Sequence, residues 1–409
     1  MRALEKKQII IAAVALAILG GFLLTRKYLP ALRPAIFPPS TDITEFLTED
    51  AVPPQAVNET NLPLELPPGF RISIFAKNLP GARVMRFDQF GNMWVSRTSE
   101  GAVTLLEIGE DGRVRSQSDI FVGLRRPHGL AFDPDPSHSL LLYIAEEHRL
   151  WRVATYSDDP GEELLALPFG DGHFTRTIAF GPDKKLFVSV GSSCNVCTES
   201  DERRAAILGY DPATRQSEIF ARGLRNAVFF TWDFVRGKMW ATDMGRDWLG
   251  DDLPPDEINI IEQGKNYGWP ICYGKNVHDT DFDKNTYIRN PCMEPFEIPS
   301  LIDIPAHSAP LGLAFIPEEG WPEDYWYDLL VAYHGSWNRS SPTGYKVVRH
   351  KFDASGNYQG AEDFIAGWLT PQGALGRPVD ILAQPGGIMY LSDDKAGVLY
   401  KITLIQPPR

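Results

Sequence analysis

Six times along the chain an apolar stretch runs into a turn and resumes as a short, aromatic-rich strand pattern. The stretches open at Arg86, His128, Arg176, Asn226, Pro310 and Arg377, and resume at Met93, Leu141, Leu186, Met239, Leu329 and Met389. Apolar runs of this length, bounded by turn residues and rich in aromatic side chains, predict strands rather than helices. Their spacing of roughly 45 to 60 residues, with one longer gap, is the signature of a β-propeller with one unit per blade. The expected fold is therefore all-β, a six-bladed β-propeller, and the lack of helical periodicity between strands argues against α/β architectures. In a propeller the innermost strands line a central channel. The residues that open each stretch are then expected to ring its mouth, and that ring is rich in Arg, His and Asn.

The chain begins differently. Arg2, Lys6 and Lys7 precede an apolar run from Ile9 to Leu24, which Arg26 and Lys27 close. The run is near the lower limit for a spanning helix of ~20 residues, and no Ala-x-Ala cleavage site follows it. Residues 1–27 are expected to form an uncleaved signal anchor, with a cleaved signal peptide as the alternative. Either sends the rest of the chain out of the cytoplasm: periplasmic and held at the inner membrane, or periplasmic and secreted after cleavage. Residues 28–66, rich in Pro, Thr and Glu without periodicity, read as an extended tether, and residues 67–409 as the propeller.

Composition sharpens this picture in two places. A formal net charge of −13 argues against a nucleic-acid partner, which needs clustered Lys and Arg. A cationic mouth within so acidic a protein would attract a small anion by its local field. Four cysteines occur, as Cys194-Asn-Val-Cys197 and the pair Cys272 and Cys292. Cys272 and Cys292 flank one long loop and are placed to close it in an oxidising compartment. The CxxC reads as a small local disulfide, with a four-cysteine zinc site as the alternative; Thr198 after it excludes the c-type haem motif. The sequence carries no GxGxxG after a strand, Walker A loop, HExxH or GxSxG, so any chemistry must use the propeller mouth.

Three groups carry candidate chemistry. His173, in Asp171-Gly-His-Phe-Thr-Arg176, is the side chain best suited to exchange protons near neutral pH. Arg225 and Asn226 can set a cation and an amide against a carbonyl, stabilising charge that develops on its oxygen. Between Asp243 and Asp256 the chain is dense in acidic groups, which reads either as solvated loop or as calcium-compatible. His307, Arg377, Arg176 and His128 add to the ring, and His334 and Asn338 end a strand of blade five on the same side. A ring of this kind suits a small anion with several carboxylates.

Taken together these residues resemble the glucose/sorbosone dehydrogenase family of quinoprotein sugar dehydrogenases, from about residue 67 to the C-terminus. The matching stretches are Gly172-His173, Phe180-Gly-Pro-Asp-Lys-Lys-Leu-Phe-Val188, Gly223-Leu-Arg-Asn226, Asp256-Glu-Ile-Asn259 and Gly264-Lys-Asn-Tyr-Gly-Trp-Pro270. Ala306-His-Ser-Ala-Pro310, His334-Gly-Ser-Trp-Asn-Arg339 and Gly376-Arg-Pro-Val-Asp380 look most like the sorbosone branch. The resemblance implies pyrroloquinoline quinone (PQQ) bound at the mouth beside calcium, and oxidation of an aldose or sugar aldehyde with electrons passed to a respiratory acceptor. It implies His173 as general base, and Arg225 and Asn226 at the quinone carbonyl. Arg377, Arg176 and His307 are then further cofactor contacts, the backbone carbonyls of Gly245 and Arg246 hold calcium, and Asp256 supports that loop or orients substrate. Val379 stands where glucose-oxidising members carry a second Arg, and Phe315 to Glu318 contains no Lys. A lactonase-like or non-catalytic calcium-binding propeller is the alternative function. The insertion 262–305 is expected between blades four and five, beside the mouth, with Tyr273, Asp279, Asp281 and Tyr287 shaping specificity.

Overall fold

Blade one shows how the pattern becomes structure. The computed structural model describes residues 54–405 apart from Asp159, Phe234 and Phe296. Strands Ala82–Phe87, Met93–Arg97, Ala102–Ile108 and Val114–Phe121 pair antiparallel in chain order. Met93–Ser96 is wholly buried, because a blade's second strand has another blade packed on each face. The outermost strand instead turns Arg115, Gln117 and Asp119 to solvent. Charge on such an edge discourages pairing with a second chain. The same four-strand unit recurs in residues 129–166, 178–222, 230–304 and 310–365, giving blades two to five.

The sixth blade is built from both ends of the chain. Pro378–Gln384, Ile388–Asp393 and Val398–Leu404 are joined by Phe70–Ala76 as the next strand, antiparallel to Val398–Leu404. The repeat pattern did not reveal this closing strand, since one strand carries no repeat of its own. Phe70 is its anchor, buried edge-on against Phe364 at 5.1 Å and Tyr325 at 5.4 Å. Truncating it to Ala would cost about 3–5 kcal/mol. Val57–Asn58 pairs parallel beyond it, and Leu64 is buried, so the described end of the expected tether lies on this blade. The expected anchor, residues 1–27, lies outside the described residues. Among the described residues no helix is long and apolar enough to cross a membrane.

Recurrent aspartates fix the hairpins on the face opposite the mouth. Asp88 accepts from Trp94 Nε1 at 3.0 Å, Asp233 from Trp240 Nε1 at 3.2 Å and Asp133 from Tyr143 Oη at 3.2 Å. This ties the turn after an inner strand to the aromatic residue of the next strand. At the channel, inner strands approach closely. A Cβ on Gly312 would meet Val379 O at 2.4 Å, and one on Gly129 would meet Arg176 O at 2.3 Å.

Both expected disulfides are present, Cys194–Cys197 and Cys272–Cys292. No cysteine is free among the described residues, so the zinc alternative fails. One placement is corrected. Ile302–Ile304 pairs with Asp256–Ile258 as the fourth strand of blade four, so the insertion lies inside that blade rather than between blades four and five.

Candidate functional site

His173 sits on a loop that closes tightly over the end of blade three's second strand. Gly172 has φ of +78°, and a Cβ there would lie 2.4 Å from Ser192 O, so only glycine fits. His173 N donates to Ser192 O at 2.9 Å. Its Nδ1 lies 3.1 Å from Ser192 O and 3.0 Å from Ser192 Oγ. The carbonyl can only accept, and the Ser192 hydroxyl donates elsewhere, to Cys194 O at 2.7 Å. Nδ1 therefore carries the proton and Nε2 keeps its lone pair. Burial, then the charges of Arg225 and Arg176, push the imidazole pKa down to about 3, against the opposing bond to Ser192. The ring is neutral at physiological pH.

Arg225 and Asn226 reach the same place from blade four. Asp243 accepts from Arg225 N at 3.0 Å and Asn226 N at 2.6 Å, which holds the dipeptide at the strand end. Burial, then Glu257, raises the Asp243 pKa well above the usual carboxylate value. The Arg225 guanidinium donates through Nε to Asn195 O at 2.9 Å, Nη2 to Asn195 Oδ1 at 2.9 Å, and Nη1 to Gly245 O at 2.9 Å. Asn195 lies between the two cysteines of the Cys194–Cys197 bridge, so the disulfide loop grips the guanidinium. Gly191 brings the two sides together: a Cβ there would lie 2.6 Å from Asn226 Oδ1 and 2.6 Å from His173 Cβ. The motif Gly264–Pro270 is scaffold for this arrangement. Tyr267 N donates to Arg222 O at 2.9 Å and Trp269 N to Gly223 O at 3.0 Å.

Other expected residues are placed differently. Arg176 is fully buried and donates to the carbonyls of Pro168, His173 and Thr175, so it braces the His173 loop and does not face the mouth. His307 Nε2 bonds Gly250 O at 2.8 Å and supports the loop after Arg246. His128 is fully buried beside Thr177. Asp256 accepts from Gly245 N and Ala309 N, both at 2.8 Å, so both carboxyl oxygens serve the loop; burial pushes its pKa up to about 7. The Gly245 carbonyl accepts from Arg225 Nη1, and Gly245 and Arg246 line the small pocket beside that guanidinium. Arg246 pairs with Asp279 of the insertion at 2.6 Å, and Tyr273 joins them around a small pocket beside Arg225. Asp281 and Tyr287 are exposed.

Across the mouth lies a cationic group only partly foreseen. Arg377 donates to His334 O at 3.0 Å and to Gly335 O. Asp394 accepts from His334 Nε2 at 2.9 Å and from Arg83 Nη1 at 2.6 Å. Burial pushes the Asp394 carboxyl up, but His334 and Arg83 outweigh it and hold the pKa well below the usual range. Arg83 Nε is buried with no protein partner among the described residues. Arg83 and Asp394 were missed because they lie outside the repeated stretches. Phe315–Glu318, the stretch without the expected blade-five Lys, lies at the end of the strand away from the mouth. Phe315 pairs with Leu329, whereas Pro310 pairs with Tyr333, the neighbour of His334. Val379 is fully buried in the core.

Comparison with known proteins gives a family model described as TrAA12-like, which matches residues 64–404. An uncharacterised protein of Borreliella burgdorferi is 31% identical over 370 residues, covering 85% of this chain and 92% of its own length. A pyrroloquinoline quinone-dependent pyranose dehydrogenase of Coprinopsis cinerea is 24% identical over 338 residues; the match covers 71% of this chain but 45% of that enzyme. Among solved structures, the holo PQQ domain of pyranose dehydrogenase from Coprinopsis cinerea aligns with TM-score 0.69 at 21% identity, covering 86% of this chain and 99% of that one. The calcium structure of the Trichoderma reesei carbohydrate-active enzyme of family AA12 aligns with TM-score 0.72 at 20% identity, covering 86% of this chain and all of that one.

Proposed function

Because the chain belongs to the TrAA12-like family, we propose that it is an exported dehydrogenase of pyranose sugars that works with pyrroloquinoline quinone. The observation that carries this reading is the convergence of His173 and Asn226 across Gly191, beside a guanidinium held by the Cys194–Cys197 loop. The mouth suits a tricarboxylate: the guanidinium groups of Arg83, Arg225 and Arg377 gather there, burial pushes the nearby Asp243, Asp256 and Asp393 carboxyls up, and Arg83 Nε is unpartnered among the described residues. When bound, the quinone supplies the acceptor for the two electrons leaving the sugar.

The chain's own groups do the rest. His173 Nε2, already unprotonated, takes the proton of the hydroxyl being oxidised, while Ser192 fixes the tautomer. The charge of Arg225, whose N–H groups are held by Asn195, Met244, Gly245 and Asp247, and the side-chain amide of Asn226 stand where negative charge would develop on oxygen. Arg83 and Arg377 would hold the cofactor's carboxylates on the far side of the mouth. The backbone carbonyls of Gly245 and Arg246 would be the ligands of a calcium ion beside the quinone, the Gly245 oxygen keeping a second lone pair beyond its bond from Arg225. The sorbosone branch rests only on the motifs of blades five and six, and the related enzyme named for its substrate oxidises pyranoses, so pyranoses rank ahead of sorbosone. Two disulfides support an oxidising compartment.

The test is quinone titration of the full chain, followed by dye reduction with a panel of pyranoses and sorbosone. Saturable binding and quinone-dependent reduction are expected. Binding without turnover on any sugar would remove the substrate class, and no binding would favour a non-catalytic propeller.

A further inference from the structure

The chain has ten tryptophans, and two of them are exposed: Trp248 at 70% and Trp337 at 67%. They face each other edge-on with ring centroids 5.4 Å apart, on neighbouring loops of blades four and five. Isolated exposed apolar residues are ordinary, but two paired indoles on built loops mark a binding surface. Trp248 also holds φ of +75°, a left-handed conformation that a bulky side chain adopts only when its surroundings impose it.

Those surroundings are on both sides of the pair. Asn338 Nδ2 donates to Asp247 Oδ1 at 2.7 Å, so the residue after Trp337 is bonded to the residue before Trp248. Arg339 Nη1 donates to Asp251 O at 2.8 Å, and Ser340 N to Asp251 Oδ1 at 3.0 Å. His307 ties down Gly250. The platform is continuous with the catalytic group, because Asp247 N donates to Asn195 Oδ1 at 2.8 Å, the same oxygen that receives Arg225 Nη2. Two indoles are thus fixed at the rim, one residue away from the network that positions Arg225.

We propose that Trp248 and Trp337 form an outer sugar-binding platform, on which the apolar face of a pyranose ring stacks while the neighbouring ring of the same chain occupies the mouth. The natural substrate class is then an oligosaccharide end rather than a free monosaccharide. A sugar ring offers a patch of C–H groups that matches an aromatic face, and its hydroxyls stay in water at an exposed rim. The inference rests on the dehydrogenase reading for its ligand class alone.

It is tested on the full chain without quinone, by quenching of tryptophan fluorescence with glucose, cellotriose and mannotriose, alongside Trp248→Ala, Trp337→Ala and the two Phe variants. At least one trisaccharide is expected to bind about tenfold more tightly than glucose. Either Ala variant removes most of that gain, and the Phe variants retain it. Both positions are exposed, so unchanged thermal midpoints are expected in every variant. Equal affinity for glucose and both trisaccharides, or unchanged trisaccharide binding in both Ala variants, would overturn the proposal; so would Phe variants as weak as Ala. Quinone titration of the same samples tests the dehydrogenase reading separately, and sugar binding without quinone binding would sink that reading and leave this one standing.

Discussion

The two halves of the channel mouth are built by different rules. On the blade three and four side, every group that positions His173, Arg225 and Asn226 is near in sequence: His173 to Ser192 spans 19 residues, Arg225 to Asp243 spans 18, and Arg225 to Asn195 spans 30. On the opposite side, Arg83 and Asp394 are separated by 311 residues and meet only because the first and last blades are neighbours. The first half can be rigid as soon as its own blades form. The second is completed only in the closed ring, when Arg83 reaches the Asp394 that His334 of the adjacent blade already holds. This suits a division of labour in which the local half performs chemistry, where small displacements are costly, and the distant half holds charge, where they are tolerated.

The sharpest way to break the comparison is His173→Ala. Loss of a general base is expected to lower turnover by about 10³-fold while quinone affinity changes little; stopped-flow dye reduction at saturating quinone reads the first and absorbance titration the second. Next comes Gly191→Ala, which adds no charge and removes none. Its Cβ must displace Asn226 Oδ1 or the His173 ring, so turnover is expected to fall by about 10²-fold. Near-normal turnover in this variant would mean that the convergence across Gly191 is not what positions the reacting groups.

The same comparison accounts for what the sequence disclosed. Repeated strands, the six blades, His173 and the Arg225–Asn226 pair were legible because each depends on residues within one or two repeats. Arg176 misled for a related reason: it opens a stretch like Arg377 does, yet its guanidinium turns inward to three carbonyls, and no periodicity encodes a side chain's direction. Arg83, Asp394 and the closing strand Phe70–Ala76 were illegible because their partners lie at the other end of the chain. Blade one's own register, with Ala82 opposite Arg97, puts Arg83 at the mouth end of its strand, but its partner Asp394 arrives only with closure. The motif Gly264–Pro270, which carried part of the family resemblance, serves as backing to the Gly223–Arg225 backbone rather than as a ligand.

A smaller effect sharpens the distant half. Arg83→Gln removes one cation from the mouth and leaves the blade three and four network untouched. Quinone affinity is expected to fall by about tenfold, the scale of one charge-assisted contact, with turnover restored at saturating quinone. A fall in saturated turnover as large as that of Gly191→Ala would erase the division between the two halves.

The smallest expected effect concerns pH, and it compares His334 with its own absence. Burial pushes the His334 pKa down from 6.5 to about 4, with Asp394 opposing and Arg377 and Arg83 adding to the fall. The unfolded chain therefore takes a proton near pH 6.5 that the folded protein refuses until about pH 4. A depressed histidine of this kind contributes stability at neutral pH that is lost progressively as pH falls through that window. In His334→Gln the proton-linked part of that loss disappears, while the hydrogen bond to Asp394 is weakened at every pH. The variant is expected to be less stable than the parent by about 1 kcal/mol at pH 7.5, and the gap should close or reverse at pH 5, where the proton-linked loss in the parent reaches about 2 kcal/mol. Urea midpoints at the two pH values measure it. A gap that stays constant, or widens toward acid, would show that His334 is protonated in the folded protein, and that the distant half of the mouth carries one more positive charge than its geometry indicates.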